Sequence, residues 1–310
     1  MTRYVTKRVL IGLATLFVIL FVLFLMLRFM PGTPFNDEKL TAAQRALLYA
    51  KYGLDKPFLV QFWNYFTSML RGDFGLSYVI NKNFAVSSMV WTRLAVSIRI
   101  GFQAMLLGSV IGLLLGIWSA LKRNTWVDTL CSGISVFGVS VPSYVFALLL
   151  AYFIGYKLKL FPILWSTKNV AASTVLPTIS LSLFPVANIA RFTRSELIDV
   201  MNSDYVLLAS SKGIKTWQLI WRHELRNALI PIITVMGPLL VDLLTGSMVV
   251  EKIFGIPGIG SLMVQAIQYN DYNVVLATAF VYSAMYIFTM MIVDILYGVI
   301  DPRIRVAKEG

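Results

Sequence analysis

Residues 203–231 read SDYVLLASSKGIKTWQLIWRHELRNALIP, a cationic, helix-patterned interlude in a chain that is otherwise apolar. Ser203 suits an N-cap, Asp204 stands where the positive end of a helix favours an acid, and Gly213 suits the left-handed residue past a helix C-terminus. These signals predict a helix over about 204–212, with Tyr205, Leu208 and Ala209 at i, i+3 and i+4 as its apolar stripe. A helix of about nine residues is marginal alone in water, because nucleation is costly and few bonds follow. It must dock on something. Past Gly213, residues Ile214, Trp217, Trp221, Leu225 and Ala228 recur at spacings of three and four, with Lys215, Arg222 and Arg226 about a quarter turn away. Two readings follow from the pattern: a helix lying on the inner leaflet with Trp at headgroup depth, or a socket in which the short helix projects into a partner protein.

The surroundings are those of an integral membrane protein. Of 310 residues 58% are hydrophobic and only 14% charged, outside the range of soluble globular domains. The net charge of +12 marks cytoplasmic loops facing anionic lipid rather than a nucleic-acid surface. The single cysteine, Cys131, forms no intrachain disulfide and offers no metal-ligand spacing. A window of roughly 20 residues, enough helix for a hydrocarbon core about 30 Å thick, predicts six spans near 9–29, 94–121, 131–156, 171–190, 228–250 and 274–298. The first is too long for a signal-peptide core and is read as a retained span. Pro177 and Pro185 interrupt the fourth, which is expected in the interior, where neighbours satisfy freed backbone groups. Short flanks with Arg3, Lys7, Arg8, Lys122, Arg123, Arg191 and Arg194 place both termini, and the opening stretch, in the cytoplasm. The expected fold is therefore all-α and polytopic. Residues 1–93 hold the first transmembrane helix and a long external loop; 94–310 hold a five-helix core with a cytoplasmic loop at 191–227.

Two outer segments carry signals of their own. Thr41 with Gln44 forms a capping box, Gly53 can end the helix it starts, and a second short helix runs to Gly72. Phe58, Phe62, Trp63 and Phe66 share one side of that second helix, as a headgroup-level anchor or as a lid over an external mouth. After the fifth span, EKIFGIPGIGSLMVQAIQYNDYN is apolar yet holds Gly255, Pro257, Gly258 and Gly260. This suits either a loop dipping back into protein at membrane depth, with a short helix over 262–269, or a plain interfacial loop.

Several chemistries lack their motifs. No GxxxxGK[ST] loop occurs, so any ATP must be handled by another chain, and no GxSxG elbow occurs. His223 and Glu224 match half of a zinc-protease HExxH helix, but position 227 is Asn, so the second ligand is missing. The only histidine is expected to be an interfacial hydrogen-bonding residue. Among intramembrane ionisable residues Arg99 and Asp294 lie near interfaces, whereas Asp242 lies deeper and is the candidate for lining a pathway.

The run RFTRSELIDVMNSDYVLLASSKG followed by HELRNALIP resembles the cytoplasmic EAA-type loop of ATP-binding-cassette importer permeases of the peptide and nickel subfamily. GDFGLS at 72–77, VPSYVFALLLAYF at 141–153, FGIPGIG at 254–260 and DILYGVIDPRIR at 294–305 extend the resemblance over nearly the whole chain. The long first outer loop and the DPRIR ending resemble the B-type members, which serve oligopeptides or dipeptides. The resemblance implies that the short helix is a coupling helix seated in a cytoplasmic ATPase, with Asp204, Tyr205, Leu208, Ala209, Lys212 and Gly213 in it or its turn. His223, Arg226, Asn227 and Pro231 would belong to the linker into the fifth span. It implies as partners a second, C-type permease, two cytoplasmic ATP-binding subunits that carry ATP and Mg, an extracytoplasmic peptide-binding protein, the peptide and membrane lipid, with no cofactor or metal in this chain. A nickel or metal-peptide permease shares every motif, and a stand-alone secondary carrier is the remaining alternative. The motif's acidic residue is absent, with Leu207 or Leu208 in its place, and Ser210 and Ser211 also depart from the pattern.

Overall fold

A computed structural model describes residues 2–29, 41–53 and 55–300; within these ranges some side chains, including those of His223 and Asp294, are not described. The DPRIR ending lies outside the described residues. The elements are α1 (Thr2–Phe29), α2 (Ala42–Tyr52), α3 (Phe58–Leu70), α4 (Val86–Leu121), α5 (Trp126–Ser140), α6 (Ser143–Leu150), α7 (Val170–Met201), α8 (Asp204–Ser211), α9 (Thr216–Leu219), α10 (Leu225–Leu244), α11 (Met248–Ile253), α12 (Ile259–Gln268) and α13 (Tyr272–Ile300). No strand occurs among the described residues; one isolated bridge pairs Leu76 with Ala85. Among the described residues four helices are long and apolar enough to cross a membrane, and up to six spans result if each of two bent pairs counts as one.

The chain divides into two compact units, residues 1–96 with 257–291, and residues 97–256 with 292–310. The expected boundary at 93/94 falls inside α4, which starts at Val86; its first turns, VSSMVWTR, are mixed in polarity and so do not read as part of an apolar span. In the first unit the aromatic side of α3 lies on α1: Phe62 is buried edge-on against Phe17 at 5.3 Å and Phe21 at 5.1 Å, and Phe66 meets Phe17 at 5.2 Å. Protein, not lipid, thus covers most of that face; Trp63 alone of the four residues named above stays well exposed. Thr41 and Gln44 form the expected capping box, and Gly53 ends α2 in the left-handed conformation.

The same unit contains a buried anchor that sequence spacing does not announce. Asp271 accepts the Ser77 hydroxyl at 2.5 Å and the backbone N–H groups of Tyr78, Val79 and Ile80 at 3.0–3.1 Å. Asn273 donates to the Leu76 carbonyl at 2.8 Å. The carboxylate thus holds residues 77–80, where GDFGLS ends, and its burial is matched by several donors.

In the second unit α7 is the central element, packed on α5, α6 and α10. It runs unbroken through Pro177 and Pro185, against the expectation of an interrupted span. Hydroxyls of Thr174, Ser180 and Ser182 donate back to helix carbonyls at 2.8–2.9 Å, and neighbours enclose both prolines. A ridge of glycines on α4 makes this close packing possible. A Cβ at Gly108, Gly112 or Gly116 would lie 2.5–2.9 Å from atoms of Pro185, Ile189 or Thr193, so any side chain there would force α4 and α7 apart.

The third expected span, 131–156, is by contrast broken. α5 and the helix from Ser143 to Lys157 meet at 102°, because Pro142 removes a backbone donor and holds Val141 in an extended conformation, φ −86° and ψ 119°. The fifth span ends at Leu244 rather than near 250. Gly246, with φ +81°, turns the chain and α11 follows.

Candidate functional site

α8 covers Asp204–Ser211, one residue shorter than the pattern predicts. Ser203 has the extended backbone of an N-cap, φ −77° and ψ 149°, but its hydroxyl does not cap; it turns back to donate to the Val200 carbonyl at 2.5 Å. Gly213 takes the left-handed conformation, φ +75°, and its N–H donates to the Ser210 carbonyl at 2.9 Å. Asp204 and Lys212 are exposed at the two ends.

The apolar stripe divides into two. Val206 and Ala209 are buried against the chain, whereas Tyr205, Leu207 and Leu208 are 44, 57 and 58% exposed. Tyr205, Leu208 and Ala209 are therefore not one face: Ala209 holds the helix to its own chain, and Tyr205 and Leu208 point outward with Leu207. Leu207 is missed by the i, i+3, i+4 pattern because Val206, not Tyr205, is the partner of Ala209 on the inner side. Tyr205 also has an inward bond. Its hydroxyl accepts the Asn227 side-chain amide at 3.1 Å, joining two predicted site residues 22 positions apart and tying α8 to α10.

The cationic elbow splits similarly. Leu225 and Ala228 are buried; Ala228 shares a small cluster with Ala120 of α4 and Leu197 of α7. Trp217 and Trp221 stack edge-to-face at 5.2 Å and stay largely exposed, beside exposed Arg222. Arg226 is exposed as well. His223 lies in a wider, π-type segment, Ile220–Glu224, and its side chain is outside those described. Among the described residues no group of His, Cys, Asp and Glu could hold a metal ion.

Asp242, expected to line the pathway, and the Gly255, Pro257, Gly258 and Gly260 segment, expected as a re-entrant or gating loop, fall on different elements. Asp242 lies late in α10 with an exposed side chain, so this chain does not itself enclose it. Gly255, with φ +62°, makes the turn after α11 in the second unit; there the Ile256 N–H bonds the Glu251 carbonyl at 2.8 Å and the Trp165 N–H bonds the Phe254 carbonyl at 2.8 Å. Pro257, Gly258 and Gly260 belong to the first unit, where Gly258 starts α12 and its carbonyl accepts from the Leu262 N–H at 3.2 Å. The short helix expected over 262–269 begins earlier, at Ile259, and its Ile259, Leu262 and Ala266 side chains are fully buried.

Near α8 the structure adds a polar cluster. Arg194 grips Asp128 bidentately, Nε to Oδ1 at 2.6 Å and Nη2 to Oδ2 at 2.8 Å, while the Ser119 hydroxyl donates to Oδ1 at 2.6 Å and the Asn124 N–H to Oδ2 at 2.9 Å. Sequence reasoning used Arg194 only as an orientation charge; the Arg–Asp separation of 66 positions leaves no local signal.

With this geometry, comparison with known proteins decides the family. Residues 112–306 match the family described as binding-protein-dependent transport system inner membrane component, and residues 1–98 match its N-terminal part. The chain belongs to that family. Among curated relatives of this inner membrane component, the dipeptide transport system permease protein DppB of Lactococcus lactis subsp. cremoris is 44% identical over 98% of this chain and 100% of its own length. DppB of Bacillus subtilis is 40% identical over 100% of both chains, and the oligopeptide transport system permease protein OppB of Salmonella typhimurium is 38% identical over 98% and 100%. A chain of the MetNI methionine ABC transporter, solved in inward-facing conformations, shares the fold with TM-score 0.56 and 17% identity, over 69% of this chain and 96% of that one. The chain is thus a multi-pass membrane protein and a transport subunit rather than an enzyme.

Proposed function

We propose that the chain is the permease subunit of an ATP-driven importer of oligopeptides or dipeptides in a bacterial inner membrane, with both termini in the cytoplasm. It would form the pathway with a second, C-type permease, receive peptide from an extracytoplasmic binding protein and be driven by two cytoplasmic ATP-binding subunits that hold ATP and Mg. The observation that carries this reading is α8: a helix too short to persist alone, held to its own chain by Val206 and Ala209, and presenting Tyr205, Leu207 and Leu208 outward. The names of the full-length relatives support peptide as the cargo.

The connections of α8 suit a lever. Two residues, Asn202 and Ser203, join it to the end of α7, and the Tyr205–Asn227 bond ties it to the start of α10. A subunit that moves α8 therefore acts on two spans that pack on each other. An apolar grip by Tyr205, Leu207 and Leu208 replaces the salt bridge that the missing acidic residue would have supplied.

Copurification from the native host, followed by uptake into proteoliposomes, tests the reading. Expected are a second permease and ATP-binding subunits in the complex, and ATP-dependent peptide uptake that nickel does not compete. Competition by nickel selects the metal-peptide alternative. Uptake by the isolated chain down an ion gradient, without ATP-binding subunits, overturns the reading.

A further inference from the structure

We infer that Asp128 and Arg194 are positioning residues for energy coupling: their ion pair locks the ends of α4, α5 and α7 into one rigid body, so that displacement of α8 is passed to three helices instead of being lost in the last turns of α7. This inference rests on the proposed coupling function. Asp128 stands in the first turn of α5 and is only 6% exposed. Its two oxygens are filled by donors from four chain segments: the Arg194 fork from α7, the Ser119 hydroxyl from α4, the Asn124 N–H from the α4–α5 turn and, more weakly at 3.5 Å, the Ser132 hydroxyl from α5 itself.

The pair's position along α7 gives it a mechanical role. Arg194 precedes Met201, the last residue of α7, by seven positions, about 10 Å of helix at 1.5 Å per residue. That terminal piece is held to its neighbours by the small apolar cluster of Ala120, Leu197 and Ala228. That cluster, with Ile117, Ile198, Val200 and Met201 packed against it, resists sliding weakly for its size, because dispersion contacts carry no direction. A bidentate guanidinium–carboxylate pair fixes both distance and angle. Arg123, in the turn after α4, adds a contact from Nη1 to the Asn202 side-chain oxygen at 3.5 Å, on the link to α8 itself. Asp128 is buried whereas the Arg194 side chain is 33% exposed, so removing the fork leaves the buried carboxylate without its charged partner and the distance and angle between α5 and α7 unfixed.

The test compares wild type, Asp128→Asn and Arg194→Lys in the complete complex, reconstituted with its ATP-binding subunits and binding protein. Peptide taken up and ATP hydrolysed are measured in the same vesicles. Asn keeps the shape but loses the charge; Lys keeps the charge but loses the fork. Expected is a roughly fivefold or greater fall in peptide moved per ATP in both variants, with subunit copurification and basal hydrolysis retained. An unchanged ratio in either assembled variant, including a proportional fall of uptake and hydrolysis, reduces the pair to a structural anchor and overturns the inference. If Asp128→Asn fails to assemble, Arg194→Lys decides alone by the same ratio. Wild-type complex that shows no ATP-dependent peptide uptake defeats the functional reading itself, a result distinguishable from failure of the lock.

Discussion

α8 and α12 are both short apolar helices joined to longer spans, yet the chain treats them oppositely. α12, ten residues long, buries Ile259, Leu262 and Ala266 completely and is finished within its own unit. α8, eight residues long, buries Val206 and Ala209 but leaves Tyr205, Leu207 and Leu208 largely exposed. Length and composition do not distinguish them. What differs is whether the stabilising surface comes from the same chain, and a helix this short needs such a surface from somewhere. α12 is a piece of the core; α8 keeps an exposed apolar face, which the proposed function gives to an ATP-binding subunit.

The contrast can be broken by mutation, and the largest expected effect is on stability. Leu262→Ala removes a fully buried side chain and should cost about 2–5 kcal/mol, read as a lower melting temperature of the detergent-solubilised permease. Leu208→Ala should move the melting temperature little, within about 0.5 kcal/mol, while lowering retention of the ATP-binding subunits by about 2 kcal/mol in a pull-down titration. If both variants lose melting temperature alike, the two helices do the same job and the contrast fails. Gly213→Val probes the exit from α8: nothing lies within 4 Å of the Cβ it would add, so the penalty is the left-handed backbone, about 1–2 kcal/mol, and should appear as loss of copurifying ATPase. Tyr205→Phe removes the bond from Asn227 and keeps the apolar ring. It should retain the ATPase and weaken the tie between α8 and α10 by about 0.5–1.5 kcal/mol, measured as faster amide exchange in α8.

Local signals made α8 readable. Ser203, Asp204 and Gly213 bracket it within one residue at its end, although the Ser203 hydroxyl serves α7 instead. Prolines proved harder, because the same residue has two outcomes. Pro142 ends up at a 102° break, while Pro177 and Pro185 sit inside an unbroken α7. The difference is tertiary: the Gly108–Gly112–Gly116 ridge brings α4 up against α7, and Pro185 packs into it. The four-residue spacing of those glycines was visible and points to a close helix crossing, but it names no partner. Asp271 and the Asp128–Arg194 pair were beyond spacing arguments altogether, since the partners lie 191–194 and 66 positions away. At the candidate site, the order of burial along α8 decides which side chains stay exposed, and that order depends on how α7 and α10 hold the helix.

A cysteine in place of Leu208 tests the central claim most directly. The chain's single native cysteine, Cys131, is buried, so labelling by a bulky maleimide reports the introduced residue. Leu208→Cys should react readily in the isolated permease and become protected when the ATP-binding subunits are present; Leu262→Cys should stay unreactive in both. Equal labelling of Leu208→Cys in the isolated chain and in the assembled, ATP-hydrolysing complex would contradict the assignment of α8 as the docking element.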